Sequence, residues 1–171
     1  FKPSTSVVGP EAILKKPAGV KRFDWEAEVG VVMGRRASKV KKEKALDYVL
    51  GYTCVNDVSV REWQNVAANW QWARAKGSDT FCPIGPCIET EGNPYDMWVE
   101  SYLNGERKQR GSTSDLIWDV PAMIEYITST MTLLPGDVIA TGTPSGIGPM
   151  NVGDVIEIKV DGVGVLRNYV G

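Results

Sequence analysis

The chain contains no histidine at all. Within its 171 residues that absence removes any Ser-His-Asp triad, any histidine-based zinc site and any histidine acid–base pair. Cysteine is scarce: Cys54, Cys82 and Cys87 are the full set, and none are in C-x-x-C spacing. An odd count without that spacing suits a reducing, cytoplasmic compartment and small buried apolar side chains, not a redox or metal motif. No apolar run approaches the roughly 20 residues that a bilayer span needs. Basic charge is not in excess either: 19 Lys and Arg stand against 21 Asp and Glu, for a net charge of −2. The electrostatic footprint of a dedicated nucleic-acid or membrane-surface binder is therefore missing. No signal peptide opens the chain. It does not open with Met, and Phe1-Lys2-Pro3 reads like the interior of a longer protein, so an upstream segment is expected to be absent.

What is present suits one domain spanning 1–171, long enough to bury a single core. Eighteen Gly and ten Pro point to a turn-rich, strand-dominated chain. The clearest strand runs from Glu26 to Met33, with Ala27, Val29, Val31 and Met33 on one side and Glu26, Glu28, Gly30 and Val32 on the other. The basic stretch from Arg35 to Lys44 reads as a solvated turn leading into a short helix at Ala45, Leu46 and Val49, closed by Gly51 at C′. Tyr52 to Val55 is a second strand. Ser59 and Glu62 match a capping box that starts a helix reaching about Asn69. Ile84 to Thr90 is a further strand. Met97 to Leu103 and Arg107 to Arg110 flank Asn104-Gly105, a strong hairpin signal. Asp119 caps a helix to about Thr130, with Pro121 in its first turn. Val138 to Thr141 is a strand that feeds the Gly-rich loop Thr141 to Gly148. Val155 to Val160 and Val163 to Val170 pair around Asp161-Gly162. The expectation is an α+β, β-rich domain: a mixed sheet roll or sandwich with two or three short helices.

Glu26 and Glu28 are the first residues that suggest chemistry. On a strand, side chains two apart share a side at ~6.6 Å between Cα atoms, and two like charges so placed repel. A hard divalent cation relieves that repulsion, and oxygen-only ligands favour Mg²⁺, Mn²⁺ or Ca²⁺ over zinc. A solvent-facing acidic strand is the plainer alternative for the pair alone. Asp57, at the end of an apolar strand, adds a third carboxylate; it is equally placed to cap the helix that follows. Arg61 and Gln64 share a helix face and suit recognition of a substrate carboxylate, although a surface Arg paired to Asp57 or Glu62 is an equal reading. Lys76 is either solvated or poised to stabilise an enolate and move a proton. The Thr141 to Gly148 loop lacks both common phosphate-loop patterns; its backbone and the Thr143 hydroxyl can meet an anion, or it is a plain turn.

In their order along the chain, these pieces resemble the fumarylacetoacetate hydrolase family. The matching features are Phe1-Lys2-Pro3, Asp24-Trp25-Glu26-Ala27-Glu28, Asn56-Asp57-Val58-Ser59, Arg61 with Gln64, Lys76 with the 79–86 stretch, Leu134-Pro135-Gly136-Asp137 and Thr141-Gly142-Thr143-Pro144-Ser145-Gly146. The resemblance implies a fold of the family's C-terminal type and commonly a homodimer. It implies a Mg²⁺ or Mn²⁺ site ligated by Glu26, Glu28 and Asp57, with Arg61, Gln64, Lys76 and Thr143 lining the pocket for a 2-oxo acid or dicarboxylate. Members hydrolyse C–C bonds, decarboxylate, or interconvert enol and ketone. The family's hydrolases activate water with a His–Glu pair, in many compact members on a segment before the Phe-x-Lys-Pro stretch; no histidine is present here. The expectation is therefore a decarboxylase/isomerase like those acting on 5-oxopent-3-ene-1,2,5-tricarboxylate and 2-hydroxyhepta-2,4-diene-1,7-dioate in aromatic catabolism. An acylpyruvate hydrolase or oxaloacetate decarboxylase/tautomerase is the runner-up. A non-catalytic metal-binding domain is the alternative of another class.

Overall fold

The computed structural model describes residues 1–65 and 70–171. Its strands are β1 (Val7–Val8), β2 (Ile13–Leu14), β3 (Phe23–Asp24), β4 (Ala27–Met33), β5 (Val49–Asn56) and β6 (Ser59–Val60). They continue as β7 (Cys82–Glu89), β8 (Trp98–Leu103), β9 (Glu106–Ser112), β10 (Val138–Ala140), β11 (Val155–Val160) and β12 (Gly164–Val170). Among the described residues three short α-helices, α1 (Arg61–Gln64), α2 (Trp72–Gly77) and α3 (Val120–Thr128), stand beside them.

Two five-stranded sheets carry the fold, in the orders β1-β7-β5-β4-β10 and β2-β12-β11-β8-β9, with a small β3-β6 ladder. β1 and β2 join their sheets in parallel and the other pairings are antiparallel, so both large sheets are mixed, as expected. The core lies between them: Val29, Val31 and Cys54 of one sheet are buried with Ile156, Ile158 and Leu166 of the other. β4 lies between β5 and β10, and all seven of its residues are buried. Phe23 and Phe81 meet with ring centroids 5.3 Å apart and tilted by 60°, a favourable aromatic geometry. Among the described residues no helix is long and apolar enough to cross a membrane.

The hairpins fall where turn chemistry placed them. Asn104 and Gly105 both have positive φ, 51° and 82°, which a tight two-residue turn requires. Asp119 accepts from the Ala122 N–H at 2.9 Å and starts α3.

Four local expectations fail, the two caps for a tertiary reason. Gly51 does not cap a helix. The helix before it is a 3₁₀ segment, Lys42–Tyr48, and Gly51 lies inside β5, where a Cβ would collide with the Glu89 carbonyl of β7. Ser59 does not cap α1 either: it sits in β6, donates to the Asp57 carbonyl at 2.9 Å and leaves α1 without a side-chain cap. Glu62 reaches away from its helix to accept the Lys21 and Arg22 N–H groups at 2.8 and 3.0 Å. α1 itself ends at Gln64, and residues 66–69 of the expected helix lie outside the described residues. Finally, Cys54 and Cys82 are buried as expected, but Cys87 is exposed.

Candidate functional site

Pairing of β4 with β5 brings the acidic residues together. Ala27 lies opposite Asn56, so Asp57, the next residue after β5, lands beside Glu26. The Asp57 N–H donates to the Glu26 carbonyl at 2.9 Å, and the Asn56 side chain accepts from the Glu26 N–H at 3.0 Å. Strand alternation puts Glu28 on the same side as Glu26. One carboxylate oxygen from each of Glu26, Glu28 and Asp57 lies within 4.8 Å of the other two. Glu26 and Glu28 are buried, and Asp57 is half-buried.

Three cations converge on this cluster. Lys76, from α2, donates to Glu26 Oε2 at 2.9 Å, Asp57 Oδ2 at 2.7 Å and Ser59 Oγ at 2.7 Å. Lys2 approaches from the other end of the chain. Its Nζ lies 2.7 Å from Asp57 Oδ1, an ionic contact without hydrogen-bond geometry, and donates to the Phe81 carbonyl at 2.6 Å and to the Lys76 carbonyl. Arg61, from α1, donates through Nη2 to Glu26 Oε1 at 2.5 Å, through Nε to Asp24 Oδ2 at 3.0 Å and through Nη1 to Gln64 Oε1 at 2.9 Å. Asp24 is fully buried and also takes Arg22 in a two-pronged contact at 3.0 and 2.6 Å. Arg61 therefore pairs with Asp24 and Glu26, not with Asp57 or Glu62. A planar guanidinium can serve three such partners at once; an ammonium cannot match that geometry.

Glu28 is the exception. Among the described residues it has no ion pair, and the Gly142 N–H, at 2.9 Å from Oε2, is its one hydrogen bond. Burial, reinforced by the charges of Asp57 and Glu26 and opposed by the Gly142 N–H and Lys76, pushes its carboxyl up to about 8. Three carboxylate donors, one of them buried without a cation of its own, fit a hard divalent ion such as Mg²⁺ or Mn²⁺.

Gln64 is buried. Its Oε1 serves Arg61, while its Nε2 has no partner among the described residues. Thr143 is brought beside the cluster, but its hydroxyl proton goes to the Ala27 carbonyl at 2.9 Å and its oxygen accepts from Gln109 Nε2 at 2.8 Å. Gly142 and Thr143 also line a neighbouring cavity of about 560 Å³, together with Val29, Leu116, Trp118 and Met123.

Sequence reasoning thus identified the residues that converge but assigned no chemistry to Lys2 and Asp24, read the Gly142 backbone only as part of a loop able to meet an anion, and read Ser59 as a cap. Lys2 and Asp24 carried no signal beyond their place in the family motifs. Gly142 acts through its backbone N–H, which the residue type alone does not advertise.

The chain matches the model of the fumarylacetoacetate (FAA) hydrolase C-terminal family over residues 1–171. It is 46% identical to a solved 2-hydroxyhepta-2,4-diene-1,7-dioate isomerase from Mycobacterium marinum, with a TM-score of 0.95 over 99% of this chain and 66% of that one. It is 44% identical to a 5-carboxymethyl-2-hydroxymuconate delta-isomerase from Mycobacterium smegmatis, with a TM-score of 0.94 and the same coverage. It is 36% identical to the mitochondrial oxaloacetate tautomerase fahd2 of Xenopus laevis, over 98% of this chain and 56% of the relative. The chain therefore spans about two thirds of the two isomerase structures, at 66% of each, and just over half of the tautomerase, at 56%. Family model, sequence identity and shared fold agree: this chain belongs to the fumarylacetoacetate hydrolase family.

Proposed function

We propose that this chain carries the site of a divalent-metal-dependent enzyme that acts on 2-oxo acids or 1,3-dicarbonyl compounds through an enolate, by decarboxylation, enol–keto isomerisation or both. The observation that carries this reading is the convergence of Glu26, Glu28 and Asp57 within 4.8 Å beside Arg61 and Lys76. The two similar isomerases and the tautomerase support it, because their names describe interconversions of that kind.

Glu26, Glu28 and Asp57 hold the ion in this reading, and Mg²⁺ or Mn²⁺ so held supplies Lewis acidity that stabilises an adjacent enolate. Lys76 keeps a positive charge at the cluster and is the group placed to move a proton at Nζ. Arg61 and Gln64 bind a substrate carboxylate. The fork of Arg61 orients it, and Gln64 Nε2 adds a donor that has no other partner among the described residues. Thr143 borders the substrate without donating to it, since its proton is committed to Ala27.

Charge balance favours a doubly anionic substrate. Three carboxylates face the three cations Lys2, Arg61 and Lys76, so a divalent ion adds two positive charges that a dicarboxylate neutralises. Decarboxylation and tautomerisation need an electron sink and a proton source. C–C hydrolysis also needs an activated water, and these 171 residues hold no histidine for that purpose. The reading includes a homodimer, for which the exposed Ile117, Trp118 and Tyr126 offer an apolar surface.

The test is a panel of 2-oxo diacids and acylpyruvates assayed with Mg²⁺, with Mn²⁺ and after chelation. Metal-dependent CO₂ release or enol–keto exchange is expected. Cleavage of acylpyruvates alone, to two acids, overturns the choice in favour of a hydrolase. Metal uptake with no turnover on any member of the panel points to a binding domain.

A further inference from the structure

We infer that Gln109 is a positioning residue for the carboxylate cluster, holding the peptide between Glu26 and Glu28 in the geometry that lets both meet one cation. The inference rests on the metal-site reading above.

β10 covers the edge of β4 only as far as Gly30, opposite Ala140. Nearer the acidic end, no strand among the described residues lies beside that edge, yet its polar groups are buried and need partners. Thr141 bonds the Val29 carbonyl through both its N–H, at 3.2 Å, and its hydroxyl, at 2.9 Å. At Ala27, the residue between the two glutamates, side chains replace the strand altogether. Gln109 Oε1 accepts the Ala27 N–H at 3.1 Å, and the Thr143 hydroxyl donates to the Ala27 carbonyl at 2.9 Å. Gln109 Nε2 closes the circuit by donating to Thr143 Oγ1 at 2.8 Å and to the Pro144 carbonyl at 2.7 Å.

Gln109 is 2% exposed, and both amide protons and its oxygen are used. Its orientation is forced: an N–H faces Oε1, and a carbonyl faces Nε2. It reaches the site from β9, in the other large sheet. The loop it clamps rests directly on β9, since a Cβ on Gly146 would collide with the Lys108 carbonyl and one on Gly111 would come 2.8 Å from Pro144. One amide therefore ties the second sheet, the 143–144 loop and the acidic strand into a single unit. Rotation of the Ala27 peptide would swing Glu26 and Glu28 in opposite senses. Groups that orient metal ligands from behind typically set affinity by 10- to 100-fold.

The experiment titrates Mn²⁺ into the protein and follows free ion by its paramagnetic resonance signal, for wild type, Gln109→Met and Asn168→Leu. Asn168 is a control of similar burial, whose amide bonds the Gly9 and Ala12 carbonyls and touches no residue of the cluster. Gln109→Met is expected to weaken Mn²⁺ binding about tenfold or more and to alter the bound-ion spectrum. Asn168→Leu is expected to lower the melting temperature while keeping wild-type Mn²⁺ affinity. A folded Gln109→Met with affinity within about twofold of wild type overturns the inference, as does an equal loss in Asn168→Leu. If Gln109→Met does not fold, Thr143→Val decides: it removes the bond to the Ala27 carbonyl without changing charge, a several-fold loss of affinity is expected, and none overturns the inference. Wild type that takes up no Mn²⁺ sinks the metal-site reading and this inference together, whereas wild-type binding with unaltered variants sinks this inference alone.

Discussion

The Gly142 N–H donates to Glu28 Oε2 at 2.9 Å, and among the described residues this is the one hydrogen bond to that carboxylate. Glu26 and Asp57 are each met by lysine or arginine. Glu28 has a backbone amide and burial, so it is the group in the cluster whose charge is least compensated.

Glu28 makes both stability and metal binding depend on pH. Its folded-state value is about 8, against 4.5 for an ordinary glutamate. The folded apo protein thus holds that proton more tightly than the unfolded chain. The stability it contributes is complete below about pH 4.5 and is lost as pH rises toward 8. Metal needs the carboxylate, so ion binding releases the proton and strengthens as pH rises to about 8. Calorimetry of Mn²⁺ binding in buffers of different ionisation enthalpy should show proton release near neutral pH and little above about pH 9. Glu28→Gln should flatten the apo pH dependence, keep the fold and weaken Mn²⁺ binding by roughly a hundredfold, about 3 kcal/mol.

Lys76→Met separates charge compensation from catalysis. The ammonium is shared by Glu26 and Asp57, so its removal leaves two carboxylates facing each other. The apo protein should lose about 2–3 kcal/mol in urea unfolding. Metal should bind at least as tightly, because a competing cation is gone. Turnover should nonetheless fall by roughly 10²–10⁴. A variant with weaker metal binding and normal turnover would place Lys76 outside the proposed role.

Arg61→Lys should preserve charge and lose geometry. Arg61 serves Asp24, Glu26 and Gln64 simultaneously. Lysine cannot reproduce that fork, so KM for dicarboxylates should rise about tenfold or more, while kcat changes less. Equal KM values for the variant and wild type would remove Arg61 from substrate binding.

Gly51→Ala probes the fold away from the chemistry. The added methyl meets the Glu89 carbonyl across the β5–β7 pair, and a backbone atom cannot swing aside. A loss of about 1–3 kcal/mol is expected by denaturant titration, with Mn²⁺ affinity per folded molecule unchanged.

Much of the site was legible because its chemistry is carried by side chains at regular spacing. Glu26 and Glu28 announce themselves by strand alternation, and Arg61 and Gln64 by helical spacing. Lys2 was not legible: nothing local says that a lysine at one end of the chain will reach Asp57. Gly142 was legible only as part of a loop whose backbone could meet an anion, and Gln109 was not legible at all. One acts through its backbone and the other looks like a polar residue on a surface strand until β4 of the facing sheet and the 143–144 loop pack against it. The misread cap at Ser59 has the same origin. Its hydroxyl has a local partner in any capping box, but here it donates to the Asp57 carbonyl and accepts from Lys76.

By itself, the amino-acid order settled most of the longer strands but not the two-residue strands β1, β2, β3 and β6, and it settled the hairpins at Asn104-Gly105 and Asp161-Gly162 and the acidic residues available to a hard cation. Those are outcomes of alternation, turn stereochemistry and donor type, which act over a few residues. The tertiary structure alone decided which charges meet. β4–β5 register put Asp57 on Glu26, Glu28 was buried with no ion pair among the described residues, and Gln109 crossed between sheets to brace Ala27. Charge compensation and desolvation depend on distance in space, and distance along the chain carries no record of it.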